Sequence, residues 1–337
     1  MAIILADGFD CYNDGTDMAS SRVWTTTGNM TGNYSTNLGR YGGGCFNRTS
    51  GQSSTLMATW AALNRVSVSF AVYLISVGTD YWFQLTPVSG SSPVRFYTSS
   101  GSPGLVSVRN GSTEFATFNM PVNQWCRIEI EAFRNATTGT LKIWVDEVLV
   151  VNFTGNTGTQ DYVGMEIARW MAGRFDDIAV WSHTGAAPNS APLGDFRIHT
   201  LRPIGNGNQN DGTPVGAASN WECVSDPQGG DDDATRVESQ NAGSIDLFQL
   251  ADLSGTPSAI IGAQVYIKAR SEASVSRKIQ ARVRSGSTEV SNGTDLSVPN
   301  AATYSGQSAF FPVDPNTGAS WTPAGINAME AGWEITA

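Results

Sequence analysis

Apolar and polar residues alternate one for one along much of this chain, and that period constrains the fold more than any other feature. Val66-Ser67-Val68-Ser69-Phe70-Ala71-Val72-Tyr73-Leu74 keeps the alternation over a full strand length, and Cys126–Ala132 and Leu141–Val145 repeat it. The second half does the same at Ile261–Ala269 and Ile279–Val283. A period of two places one side of each segment on a core and the other toward solvent or a second sheet. Clusters such as Ser99-Ser100-Gly101-Ser102-Pro103-Gly104 and Thr154-Gly155-Asn156-Thr157-Gly158 separate the runs with turn chemistry. No amphipathic helical stripe exceeds about two turns. The pattern predicts an all-β chain of sandwiches.

A chain of 337 residues suggests about two domains. The segment Thr184-Gly185-Ala186-Ala187-Pro188-Asn189-Ser190-Ala191-Pro192 is small, polar and Pro-containing, as a linker is. Arg174–Trp181 reads as a closing strand before it, and Gly194–Leu201 as an opening strand after it. The expected division is 1–183, a linker at 184–193, and a second antiparallel β domain at 194–337, loop-rich from Pro203 to about Asp233.

Charge excludes several functions. Lys and Arg total 20 against 30 Asp and Glu, for a net charge of −10, and charged residues make up only 15%. Nucleic-acid binding needs clustered cations to neutralise phosphates, so no nucleic-acid partner is expected. A basic membrane-surface role is excluded on the same ground, and no apolar run approaches the roughly 20 residues of a membrane span. Met1-Ala2-Ile3-Ile4-Leu5-Ala6-Asp7 lacks the form of a signal peptide, so the chain is expected to stay in the cytoplasm or to leave it inside a particle. Four cysteines share no CxxC spacing, which argues against zinc. Cys11 and Cys45 could pair, though free buried thiols are the expectation.

Six segments occur in an order that resembles concanavalin A-like (laminin-G-like) jelly rolls. They are Asp7-Gly8-Phe9-Asp10, Gly39–Cys45, the Ser67–Leu74 strand, Trp125–Ile130, Ile143–Leu149 and Phe175-Asp176-Asp177-Ile178. The resemblance covers about residues 1–183 and implies a sandwich closed by the Phe-Asp-Asp strand. With it, the expected fold is two β-sandwich (jelly-roll) domains in tandem, the first concanavalin A-like. Adding Leu193–Pro203 and Asp314–Thr322 makes the whole chain similar to structural proteins of tailed bacteriophages. That similarity implies a virion component, whether capsid decoration, tail-tip subunit or fibre, that contacts other virion proteins and forms homo-oligomers.

Glycan-cleaving relatives of this sandwich carry Glu-x-Asp-x-(x)-Glu on one strand, their outer carboxylates acting as nucleophile and acid/base. Here the corresponding run is Arg127-Ile128-Glu129-Ile130-Glu131, with Arg127 where the nucleophile belongs, so no catalytic residue is assigned. His183 and His199 stand apart from any Gly-x-Ser-x-Gly elbow. Gly205-Asn206-Gly207-Asn208 resembles a phosphate cradle in composition alone. Calcium is the one cofactor considered, with Asp176 and Asp177, or Asp231, Asp232 and Asp233, as weak candidates and a solvated or structural role expected for both sets. Tyr81, Trp82 and Trp170 are the candidate rings for a glycan or protein partner, with Trp82 expected on the opposite side of its strand from Tyr81 and Phe83. The leading expectation is a non-enzymatic virion structural protein. The alternatives are an adhesin for host-surface glycans and, less favoured, a glycan hydrolase.

Overall fold

The protein is described by a computed structural model covering residues 2–337 apart from 29, 31, 50–53, 78–80, 89–92, 100, 168, 170, 184–191, 232, 273–276, 299 and 301–302. It divides into two compact units. The first comprises 1–10, 14–19 and 24–198, and the second 11–13, 20–23 and 199–337. The division therefore falls at Ile198, later than the expected linker. Residues 184–191 of that linker lie outside the described residues, while Pro192–Ile198 belong to the first unit. The strand expected at 194–201 does not form there.

The first unit contains fifteen strands among the described residues: β1 (Ala2–Asp7), β2 (Thr25–Thr27), β3 (Tyr34–Ser35), β4 (Cys45–Arg48), β5 (Thr55–Leu63), β6 (Arg65–Val77), β7 (Tyr81–Pro87), β8 (Val94–Ser99), β9 (Ser102–Asn110), β10 (Thr113–Asn119), β11 (Trp125–Phe133), β12 (Gly139–Val145), β13 (Val148–Gly155), β14 (Tyr162–Ile167) and β15 (Met171–Ser182). One short helix, α1 (Gly15–Ser20), precedes β2. One sheet runs β13-β12-β11-β6-β15-β4-β3 with β1 on β15, and the other runs β10-β9-β8-β7-β14-β5-β2. Phe70 on β6 lies 5.4 Å from Phe83 and 6.4 Å from Trp82 on β7, so the two sheets face one another across an aromatic core. The result is the sandwich expected from the alternation, the jelly roll being what the resemblance implied, with the predicted runs inside β6, β11, β12 and β15.

Alternation explains the layers. Ile128 and Ile130 are fully buried in the core, while Arg127, Glu129 and Glu131 occupy the other side of β11. One irregularity matters. Tyr81 pairs with Tyr97 but Phe83 pairs with Phe96, so two residues on β7 oppose one on β8. This bulge turns both Trp82 and Phe83 inward. Trp82 is 1% exposed and meets Phe70, Phe96 and Phe175. Close approach also constrains the Gly39–Cys45 turn, because a Cβ on Gly44 would stand 2.3 Å from the Phe9 carbonyl oxygen.

The second unit is antiparallel throughout its named strands: β16 (Pro203–Asn210), β17 (Thr213–Val215), β18 (Arg236–Glu238), β19 (Ile245–Leu250), β20 (Ala263–Ala269), β21 (Arg277–Ser285), β22 (Thr288–Ser291), β23 (Leu296–Val298), β24 (Ser305–Phe311) and β25 (Glu330–Ile335), with a one-turn helix α2 (Pro323–Asn327). The β20–β24 ribbon packs on the sheet β16-β19-β25-β21-β22 around Val265, Val283, Phe311 and Trp321. Gly205–Asn208 lie in edge strand β16 rather than a loop. Gly207 is required there because a Cβ would meet the Leu247 carbonyl oxygen at 2.6 Å. That placement removes the phosphate-cradle reading.

Candidate functional site

The outer faces of the two sheets of the first unit differ sharply. On the seven-stranded sheet the register aligns Glu114, Arg109, Arg95, Gln84 and Glu166 across β10, β9, β8, β7 and β14. Tyr81 and Tyr97 form the adjoining row, edge to face at 6.1 Å. The Arg95 guanidinium lies 4.2 Å from the Tyr81 ring centroid, and Arg169 lies 5.0 Å from the same centroid. Tyr81 Oη accepts from Arg169 Nη1 at 2.6 Å and donates to Glu166 Oε2 at 3.1 Å. Arg95 donates through Nε to Gln84 Oε1 at 2.6 Å and through Nη1 to Tyr97 Oη at 3.4 Å. Arg109 sits 5.0 Å from the Tyr97 centroid and 2.8 Å from Ser107 Oγ. Burial, with the neighbouring Glu166 carboxylate, raises the Tyr81 phenol above its ordinary range. Stacked and bonded in this way, the guanidiniums are fixed in place before any ligand arrives.

Tyr81 is thus a member of a polar cluster, as a binding-site ring would be, although its ring is largely buried beneath the arginines. Trp82 is not available to a partner: the bulge commits it to the core. Trp170 lies outside the described residues, whereas its neighbour Arg169 is exposed and joins the cluster. Arg95, Arg109, Gln84 and Glu166 were not singled out from the sequence. The available signal was an arginine two residues from an aromatic or hydroxyl residue, Arg95/Tyr97 and Ser107/Arg109, in a cation-poor chain.

The outer face of the eight-stranded sheet is covered where β11 crosses it. Arg127 and Glu129 are each 3% exposed, because Pro192–Ile198 straps across them. Leu193 N donates to Glu129 Oε1 at 2.7 Å, and Asp195 N donates to Glu147 Oε1 at 3.0 Å. Arg127 donates to Ser69 Oγ, Phe196 O and Asp177 O at 2.9, 2.9 and 3.1 Å, with its guanidinium 3.5 Å from the Phe196 ring centroid. Asp195 also pairs with Arg40 at 2.5 Å, and Ile198 N reaches Asp177 Oδ1 at 2.7 Å. Glu147 comes from the two-residue β12–β13 turn, where Asp146 and Glu147 have φ of 45° and 68°, the left-handed conformation a type I′ hairpin needs. Between strap and sheet lies a niche lined by Arg127, Glu129, Trp144, Glu147, Pro192 and Gly194, with room for about one water molecule.

Desolvation dominates the titration of this face. Burial pushes Glu129 up to about 7, against the Leu193 amide and Arg127 that favour its charged form. Burial lowers Arg127 to about 10. Glu131 bonds Arg65 at 2.7 Å instead of joining Glu129. Ser67 Oγ and His183 Nε2 approach to 2.7 Å, but Ser67 is fully buried and no carboxylate bonds the other ring nitrogen among the described residues. His199 Nδ1 contacts Ser254 Oγ at 3.4 Å in the second unit.

The acidic candidates are held by protein groups. Asp176 accepts from Arg40 N and Asp177 N, and burial beside Asp177 raises its carboxyl. Asp177, at φ 47° in the β15 bulge, accepts from Ile198 N. Asp231 accepts from Thr235, and Asp233 pairs with Arg270 at 2.9 Å and accepts from Tyr304 Oη. Asp232 lies outside the described residues. Among the described residues no three His, Cys, Asp or Glu side chains gather as a metal site. Cys11, Cys45, Cys126 and Cys223 are all free thiols, and burial pushes Cys45 and Cys126 up to about 12.

No family model and no curated protein matches the sequence. Among solved structures, the chain is similar to the cellulose-induced protein Cip1, at 14% identity and TM-score 0.41, over 52% of this chain and 96% of that one. Domain 4 of AbnA, an extracellular GH43 arabinanase from Geobacillus stearothermophilus solved in complex with arabinotriose, matches at 16% identity and TM-score 0.40, over 53% of this chain and 91% of that one. The carbohydrate-binding module CBM66 from Bacillus subtilis matches at 16% identity and TM-score 0.33, over 47% and 95%. At this level these likenesses carry no argument about the site.

Proposed function

We propose that the protein is a non-catalytic carbohydrate-binding protein whose first unit presents the outer face of the seven-stranded sheet to a glycan. The observation that carries this reading is the Tyr81-centred cluster, in which Arg95 and Arg169 stack on one ring and Gln84 and Glu166 flank it in register. Planar hydrogen-bonding groups held rigid beside aromatic rings suit a polyhydroxylated ligand. The non-catalytic part is supported by Arg127, buried at the position where the resembling hydrolases place a nucleophile, and by the strap over Glu129. Binding of the full chain to a panel of immobilised neutral and acidic polysaccharides tests the proposal. Binding is expected, and weakens on Arg109→Ala. Retention on none of them overturns it, and release of reducing ends from a bound polysaccharide overturns the non-catalytic part.

A second reading places the protein in a tailed-phage virion, as a homo-oligomer docked on other virion proteins. It is favoured by the apolar pair Val148 and Leu149, 64% and 45% exposed at the start of edge strand β13. Mass spectrometry of purified particles lacking the protein would end this reading.

A further inference from the structure

Among the described residues, the charge on the outer face of the seven-stranded sheet does not balance. Arg169 lies 3.5 Å from Glu166, and Arg109 lies 3.9 Å from Glu114. Arg95 has neutral partners only, Gln84, Tyr97 and the Tyr81 ring, and its Nη2 makes no hydrogen bond among the described residues. It is half-buried and directly opposite Arg109 in the register, so two guanidiniums stand side by side, and the Glu114 carboxylate lies beyond Arg109, on the side away from Arg95. This local excess of positive charge sits on a chain of net charge −10. A guanidinium held by a ring and two hydrogen bonds, with one edge left over, is preorganised to receive a carboxylate.

We propose that this face recognises an acidic carbohydrate, a uronic acid residue of a polysaccharide, by seating its carboxylate on Arg95 with Arg109 alongside. This inference rests on the carbohydrate-binding reading above and names its ligand class. A single surplus cation is too little for a nucleic-acid backbone, whose binding scales with the number of phosphates neutralised. An acidic protein segment would be expected to bring buried apolar anchors as well as charge, and the aligned row Gln84, Arg95, Arg109 and Glu166 offers hydrogen-bonding groups instead.

The test is affinity of the full chain for polygalacturonate, for the same polymer with its carboxylates methyl-esterified, for a neutral galactan and for poly-glutamate. Polygalacturonate is expected to bind at least about ten-fold more tightly than its ester, with affinity falling as salt rises. Arg95→Gln is expected to remove that preference and Arg95→Lys to retain part of it. Glu114→Gln, which frees Arg109, is expected to strengthen binding. An unchanged urea midpoint separates these effects from misfolding, and Arg109→Gln, on a side chain 43% exposed, provides a second variant. Equal affinity for acid and ester, or binding of neutral galactan alone, overturns the inference and leaves the carbohydrate reading standing. Binding to no polysaccharide overturns both. Poly-glutamate binding as tightly as polygalacturonate replaces the sugar by an acidic peptide and overturns the inference.

Discussion

The two outer faces of the sandwich carry the same kinds of side chain and use them in opposite ways. On the seven-stranded sheet Arg95, Arg109 and Arg169 stack on tyrosines and remain at the surface. On the eight-stranded sheet Arg127 is spent on main-chain carbonyls of Phe196 and Asp177, and Glu129 on the Leu193 amide. A guanidinium offered to solvent is available to a ligand, whereas one saturated by the chain's own carbonyls is part of the architecture. The contrast shows why counting charged residues along a strand does not locate a site.

The contrast is broken most directly at the arginines. Arg127→Ala leaves three acceptors without their donor beneath the strap and is expected to cost about 3–5 kcal/mol in urea unfolding. Arg95→Ala opens Gln84 and the Tyr81 ring to water rather than leaving them buried without a partner, and is expected to cost less than about 1 kcal/mol. Equal losses would mean that the open face is as structural as the covered one.

The next effect is in pH. Burial pushes Glu129 up to about 7 in the folded protein, against its ordinary value of 4.5 when unfolded, so the folded state holds the proton more tightly. Stability from this group is fully present below about pH 4.5 and is lost as pH rises through about 7, a span worth roughly 3 kcal/mol. Glu129→Gln is expected to flatten that part of the profile, read as the difference between the two proteins' unfolding free energies from pH 4.5 to 8. An unchanged slope would show that the strap does not desolvate Glu129.

A smaller effect than the pH dependence is in the strap itself. Gly194 has φ 78°, and a Cβ there would stand 3.0 Å from Glu147 Oε1. Gly194→Ala is expected to cost about 1–2 kcal/mol and to speed amide exchange at Leu193 and Asp195. No change in exchange at those two amides would mean that the strap is held elsewhere.

Much of the scaffold was legible because alternation reports burial directly: the runs at 66–74, 126–132 and 141–145 lie within β6, β11 and β12. The same rule misplaced residues where the ladder slips. An unbroken period of two puts Phe83 on the side of Tyr81, and the β7 bulge reverses it. At the covered face, Arg127, Glu129 and Glu131 share one side of β11, as the alternation implies, but that side is buried. Its partners were not visible, because Glu129 meets Leu193 and Arg127 meets Phe196, some 64 and 69 residues further on. At the open face Tyr81 was singled out, while the arginines around it come from β8, β9 and the turn beyond β14, segments brought together by strand pairing.

Period, turn composition and charge, all local properties, were enough for an all-β chain of two units with a sandwich at its head and a surface poor in cations. They divide inside from outside residue by residue. Which outside stays outside was decided by the tertiary structure, since covering the Arg127 row takes a segment more than sixty residues away and exposing the Arg95 row takes four strands in register. Such contacts depend on where the chain returns, which no short-range pattern encodes.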